Sequence, residues 1–390
     1  MKTVAIIYRF LPQYRVEFYE QLRDILASNE IELKLLYGQG DEEDRKKGDL
    51  VDLPWGIKVP NKIIRIGSHN VYWQPAFKHV KDVDLIIVEQ ASRLLINYLL
   101  LARQTMGGTK IAFWGHGKNF QATEKNRLAE WLKKYYSKMP HWWFAYNDRS
   151  ARVLSDLGYP ADRVTVVDNA IDTHKLRHWI KEISEDEKDA TRMDLGISGK
   201  NVGVFVGGLY PEKRLEFLIS SAENIREEVP DFELLIAGDG VDRKIAESAS
   251  KKHSWIRYIG PRFGRDKAVV LSLGKLFLMP GLVGLAVLDA FSSGLPVLTT
   301  DVDYHSPEID YLKNGKNGFV CEDDVRDYSN TVISILSEQK AFDKIRNGAI
   351  RSGDRYTIEN MAAKFAQGII SALMEESSGR VVRGTQNDQV

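Results

Sequence analysis

Three short stretches combine glycine with charged or imidazole side chains in a way that could do chemistry. The first is Gly207-Gly208-Leu209-Tyr210-Pro211-Glu212-Lys213-Arg214, which follows an apolar run and opens a helical one. Proline suits the first position of a helix, which puts Lys213 and Arg214 in its first turn. Cations there oppose the helix dipole and make better sense with an anion between them. The alternative is two exposed basic residues on a surface helix, offset by Glu212. The second stretch is Pro280-Gly281-Leu282-Val283-Gly284-Leu285-Ala286-Val287-Leu288-Asp289, continuing to Pro296. A helix starting near Gly284 leaves backbone amides open to close approach by phosphate. Asp289 is the lone acid of that helix and is therefore paired, ligand-bound or at a cleft edge, a satisfied helix acid being the commoner case. The third stretch is Trp114-Gly115-His116-Gly117-Lys118-Asn119, directly after a strand. Doubly wound sheets collect ligands outside the carboxyl ends of their strands, so His116 lies where a substrate would be. A single loop histidine is more often plain surface.

Other patterns carry less. Gly238-Asp239-Gly240 reads as a strand-to-helix turn, and Asp82/Asp84 and Asp301/Asp303 as structural acids rather than paired metal ligands. The standard phosphate-loop and dinucleotide glycine patterns do not occur, nor do His-Glu-x-x-His or Gly-x-Ser-x-Gly. No cofactor and no metal are expected.

The elements that must position these residues alternate between short β-rich runs and amphipathic stretches, the pattern of βαβ units. In the first half, strands are expected at 3–8, 31–37, 83–88, 110–114, 142–146 and 164–167. Helices fit 15–27, 93–104, 122–138 and 149–157. Lys181 to Asp189 then carries seven charges in nine residues, a solvated helix face or a linker. A second series has strands at 202–206, 232–237, 256–259, 276–279, 296–299 and 319–321. Its helices fit 212–226, 241–251, 265–271, 285–292, 306–312 and 325–337, and a further helix fits 357–375. The domain reading is 1–175, a charged linker region 176–199, a second domain 200–355, a returning helix 356–376 and a disordered tail 377–390.

Composition narrows the class. In 390 residues, 54 basic side chains balance 54 acidic ones, which argues against a dedicated nucleic-acid binder. The single cysteine, Cys321, excludes an intramolecular disulfide framework. The apolar run at the N-terminus is too short for a secretory signal, and Leu94–Ala102 is about half the length that spans a bilayer. A soluble, cytoplasmic protein is expected. The basic and aromatic stretch Leu128–Lys138 reads either as a weak membrane-surface helix or, more commonly, as an amphipathic helix on its own sheet.

Taken together, the order and spacing of these segments resemble the retaining glycosyltransferases of family 4 (glycosyl transferases group 1). Asp168-Asn169-Ala170-Ile171-Asp172 is similar to that family's segment at the end of its first domain, and Gly207–Lys213 to its diphosphate-binding turn. Ile236–Gly240, Gly294-Leu295-Pro296-Val297 and Asn314–Gly318 match further signatures. The resemblance implies the GT-B fold: two doubly wound Rossmann-like α/β domains facing each other across a cleft, with a C-terminal helix crossing back to the first. It implies a metal-independent hexosyltransferase that takes a UDP- or GDP-linked sugar to a glycan or lipid-linked acceptor, in surface polysaccharide biosynthesis such as lipopolysaccharide or capsule. Lys213 and Arg214 would stabilise the leaving diphosphate with Gly207, Gly208 and the amides of Gly284, Leu285 and Ala286. Asp289 would hold the ribose, Arg262 would flank the base, and Glu308 matches a further donor-side position. Its other reading is an ordinary helix start behind Ser306. His116 would reach the sugar from the first domain, and Pro12, Tyr14 and Arg15 would line the acceptor side.

Two positions depart from the family. Gly208 replaces a usual arginine, and Gly281 replaces the first of two glutamates eight positions apart, which contacts the donor sugar. Asp289 stands at the second, shorter than glutamate by one carbon–carbon bond, about 1.5 Å. The Gly281 departure keeps open a rival, a non-catalytic nucleotide-sugar-binding homologue or a partner subunit of a transferase. An epimerase or phosphorylase of the same fold would need acid–base carboxylates or a cofactor lysine that the sequence does not identify.

Overall fold

A computed structural model describes residues 1–40, 50–67, 69–117 and 135–375. Two open parallel sheets carry the fold. The first contains β1 (Lys2–Tyr8), β2 (Ile31–Tyr37) and β3 (Ile57–Lys58), then, after an antiparallel hairpin of β4 (Lys62–Ile66) and β5 (His69–Trp73), β6 (Leu85–Glu89), β7 (Lys110–Gly115), β8 (Trp142–Ala145) and β9 (Val164–Val166). Its strand order is β3-β2-β1-β6-β7-β8-β9. The second contains β10 (Asn201–Val206), β11 (Phe232–Ala237), β12 (Ile256–Tyr258), β13 (Leu276–Leu278), β14 (Val297–Thr300) and β15 (Gly318–Cys321), ordered β12-β11-β10-β13-β14-β15. In both, the order reverses beside the first strand, between β1 and β6 and between β10 and β13. That switch point is where doubly wound folds open a crevice for ligands.

Continuous apolar runs make these strands because helices cover both faces of a parallel sheet. Val4, Ala5 and Ile6 of β1 and Val204 and Phe205 of β10 are fully buried. All twelve expected strands are present. Among the described residues, features that were not expected include β3, the β4–β5 hairpin, the helix His174–Glu182 and the helix Gln339–Arg355. The charged run after residue 181 lies largely in a helix, Glu185–Leu195. Ser184 caps it, accepting from the Glu187 amide, and three acids in its first turn favour the dipole. Gly196 in the left-handed region ends it.

The helix Ile358–Met374 leaves the second sheet's surroundings and packs on the first. Phe365 stacks on Phe144 of β8 with centroids 4.1 Å apart and meets Phe18 and Trp114 edge-on. At its far end Arg163 pairs with Glu375 at 2.9 Å. Among the described residues, no helix is long and apolar enough to cross a membrane. Lys118, Asn119, most of the helix expected at 122–138, with its membrane-surface alternative, and the tail 377–390 lie outside them.

Candidate active site

On the second sheet, the loops after β10 and β13 meet at the switch point. After β10 the chain makes a tight turn at Pro211–Lys213, and the helix expected at 212–226 begins only at Leu215. Arg214 breaks the two apart with φ of 59°, a left-handed conformation rare outside glycine. Lys213 and Arg214 therefore leave the backbone in different directions rather than sharing a first turn.

Lys213 is the residue that joins the two loops. Its ammonium donates to the carbonyl of Leu282 and touches the sulfur of Met279. Burial draws its pKa down to about 8, against the raising pull of Glu212. It is still mostly cationic at pH 7, and little solvated, so an incoming anion meets a charge that water has not already screened. The loop beneath it is fastened at each peptide. Thr300 Oγ1 donates to the Pro280 carbonyl at 2.6 Å, Thr299 Oγ1 to that of Gly281 at 3.2 Å, and the Leu282 amide donates to Glu212 at 2.7 Å. Gly281 lies so close to the 212–213 backbone that an added Cβ would stand 2.0 Å from the Glu212 carbonyl oxygen. A side chain is excluded there, which gives the family departure a steric cause. Gly284, by contrast, meets only Ser306 at 3.5 Å.

The other donor-side residues are placed differently from the expectation. Arg214 turns to Thr300 Oγ1 (3.0 Å), pairs with Asp323 and lies over the Phe217 ring. Its charge is already matched by a carboxylate, so it is a strut of the β10 and β14 ends rather than a second free cation. Asp289 pairs with Lys267 at 2.9 Å, a partner 22 residues away. The Tyr210 ring lies over Gly208, where an arginine would begin. Arg262 is half-buried, its guanidinium donating to the carbonyl of its own neighbour Pro261 at 3.2 Å. Gly207 closes the end of β10 by donating to Ala237 at 3.0 Å, and Leu285 and Ala286 begin the helix Ala286–Ser292.

Glu308 faces the first domain, not the loops around Lys213. Its carboxylate is buried and accepts from Asn169 Nδ2 at 2.8 Å. Burial raises its pKa, against the Asn169 bond. The expected helix at 306–312 is a tight Pro307–Tyr311 turn. Tyr311 adds a bond to the Asn169 carbonyl at 2.9 Å, and Asn147 donates to Pro307. This polar seam joins the two sheets.

On the first domain, His116 follows β7 with its ring edge-on to Tyr146, centroids 4.0 Å apart. Its Nδ1 is buried and, among the described residues, has no hydrogen-bond partner. Burial, and then the Arg15 guanidinium, hold its pKa at about 4. The imidazole is thus neutral at pH 7 and suited to hydrogen bonding rather than to acting as a cationic acid. Gln90, after β6, fixes the same loop by accepting from the Gly117 amide at 2.9 Å. Tyr14 is 38% exposed and Pro12 is buried ahead of a short turn. Arg15, expected along the acceptor side, is instead only 1% exposed. It lies 5.0 Å from the Tyr14 and Trp114 rings, and donates to Asn169 Oδ1 at 2.6 Å and to the Ala170 carbonyl. A side chain so enclosed anchors the domain and presents no surface to a substrate. Residues the sequence reading missed are Asn169 as a bridge, Lys267, Thr299, Thr300 and His305. The only signal was polar residues ending an apolar strand, as Thr299 and Thr300 do in β14.

Two open parallel sheets, loops converging at the switch points and a crossing C-terminal helix define a GT-B protein. Residues 200–338, which hold the second sheet, match the family of glycosyl transferases group 1. It is 25% identical over 195 residues to a sulfoquinovosyl transferase of Arabidopsis thaliana, a match covering 47% of this chain and 37% of the relative. It is 23% identical over 284 residues to the putative glycosyltransferase EpsD of Bacillus subtilis, covering 67% and 71%. A 2-deoxystreptamine N-acetyl-D-glucosaminyltransferase of Niallia circulans matches at 22% identity over half of each chain. The chain thus spans about half or less of the first two relatives. Among solved structures, HepE of Anabaena, in complex with UDP, superposes with a TM-score of 0.65 over 95% of this chain and 100% of that one, at 14% identity. The lipopolysaccharide outer core galactosyltransferase WaaB follows at 0.63 and 16% identity, over 95% and 99%.

Proposed function

We propose that this protein is a retaining glycosyltransferase that takes a hexose-type sugar from a nucleoside diphosphate donor, UDP- or GDP-linked, to a glycan or lipid-linked acceptor. The observation that carries the reading is Lys213, a half-buried side chain whose ammonium is held on the Leu282 carbonyl at the second sheet's switch point. As the donor's glycosidic bond breaks, negative charge grows on the leaving diphosphate. A desolvated, preorganised cation is placed to stabilise it without a metal ion. Asp289 keeps one carboxylate oxygen beyond its Lys267 bond for the ribose. Neutral His116, half-buried on the first domain, is placed to hydrogen-bond the sugar when the domains close. The acceptor attacks from the leaving-group face, and a donor phosphate oxygen takes its proton. The acceptors, on the pattern of the lipopolysaccharide outer core galactosyltransferase WaaB, belong to surface polysaccharide.

Thermal shift with UDP-, GDP-, ADP- and TDP-sugars tests the donor. Proton NMR of the first glycoside, formed in excess EDTA, tests metal independence and stereochemistry together. An inverted anomer refutes retention, and strict dependence on added Mg²⁺ or Mn²⁺ refutes metal independence. The backbone contact at Gly281 favours one second reading, donor binding without transfer, because no glutamate can stand there to hold the sugar. Slow donor hydrolysis by the purified protein decides against it.

A further inference from the structure

His305 lies in the loop after β14 and is 4% exposed. Its Nδ1 accepts from the Val283 amide at 3.0 Å, so its proton sits on Nε2, which donates to the Thr300 carbonyl at 2.7 Å. The next residue, Ser306, donates its amide to the Val283 carbonyl at 3.1 Å. The Leu282 carbonyl and the Val283 amide belong to one planar peptide unit. Lys213 holds the carbonyl end of that plane and His305 the amide end. If the plane turns, the seat of the Lys213 ammonium turns with it.

We propose that His305 is a positioning residue for the donor site: it fixes the Leu282–Val283 peptide plane, and through it the Lys213 ammonium, in the orientation that receives the donor diphosphate. The inference rests on the donor reading of Lys213. His305 is too enclosed to touch a donor, so its effect passes through the peptide.

The test is a double-mutant cycle read by calorimetry with UDP and GDP, beside the thermal melt of each variant. His305→Phe keeps ring volume and removes both hydrogen bonds. It should weaken nucleotide binding at least tenfold. In a Lys213→Met background the same change should cost less than twofold, since the residue it acts through is gone. Equal losses in both backgrounds would make His305 merely structural and overturn the proposal. His305→Asn, whose Oδ1 can take the place of Nδ1, should recover most of the affinity, and His305→Gln, which lacks an acceptor there, should not. These two also serve if the phenylalanine variant does not fold, and equal affinity for Asn and Gln would overturn the proposal. Amide hydrogen exchange of the 280–285 segment gives a ligand-free readout. Faster exchange in His305→Gln than in His305→Asn supports the clamp, and identical exchange refutes it. If the wild-type protein binds neither nucleotide, the donor reading fails on that result, while exchange still judges the clamp.

Discussion

Replacing Gly281 separates the structural reading from one based on family pattern. The pattern suggests that Gly281→Glu restores a missing sugar contact and raises activity. The structure requires the opposite. A Cβ would stand 2.0 Å from the Glu212 carbonyl oxygen and within 2.8 Å of Lys213 Cα, all of it backbone that cannot swing aside. Reaching even a tight 3 Å contact needs a shift of about 1 Å, which stretches the Leu282–Glu212 hydrogen bond from 2.7 Å to about 3.7 Å, beyond bonding range. Overpacking costs about 1–3 kcal/mol, and the buried pair left apart about 1–3 kcal/mol more. At about 2–6 kcal/mol in all, the second domain should melt at least about 4 °C lower. Gly281→Ala should show nearly the whole effect, because the clash begins at Cβ. Differential scanning calorimetry gives the stability, and isothermal titration with UDP and GDP gives the affinity, which should fall at least about tenfold as the Lys213 seat moves. The reasoning is refuted if Gly281→Glu melts within 1 °C of wild type and binds nucleotide equally well, with ~1 °C being well below the expected shift.

Lys213→Ala should lower transfer about a hundredfold or more while the circular dichroism spectrum stays unchanged. With its ammonium titrating at about 8, nucleotide affinity should hold below pH 7.5 or so and then fall by about tenfold per pH unit as the cation is lost; a calorimetric series across that range, flat throughout, would exclude Lys213 as the diphosphate contact. His116→Gln should reduce turnover more than affinity for bare nucleoside diphosphate. Because its pKa is held at about 4, the ratio of wild-type to variant kcat/KM should show no inflection near the ordinary histidine range of about 6.5, and a clear one there would mean a charged imidazole at work. Phe365→Ala, fully buried and far from Lys213 in the chain, should cost about 3–5 kcal/mol in chemical denaturation, and a loss below 1 kcal/mol or so would mean the crossing helix does not depend on that contact.

The strands were legible because their runs are apolar on both faces, a pattern that little else in a polar-surfaced chain produces. The helix Gln339–Arg355 was not, since it carries Gly348 and Gly353. Added Cβ atoms at these positions would strike the backbone of Lys316 and Phe291, so the glycines serve close packing that no local pattern reports. Lys213 was legible from its place after a strand and a Gly-Gly turn. Arg214 was not, because a left-handed arginine has no sequence signature. Arg15 resembled a cleft residue by its setting of proline and tyrosine, yet it is enclosed by segments as distant as Met361. The Asp289–Lys267 and Asn169–Glu308 bonds likewise depend on tertiary geometry, which a linear reading cannot supply.

The crossing helix also sets an order on synthesis. The last strand of the first sheet ends at Val166, but the side chain that seals Phe18, Trp114 and Phe144 is Phe365, roughly 200 residues later. At ribosomal rates that is a wait of roughly 10–40 s, during which the nascent first domain holds Phe18, Trp114 and Phe144 without the Phe365 ring that packs on them in the finished fold. Its folding is therefore completed from the far end of the polypeptide, after the second domain has been made. A chain stopped short of residue 358 would contain every strand of both sheets and still lack the piece that closes the first.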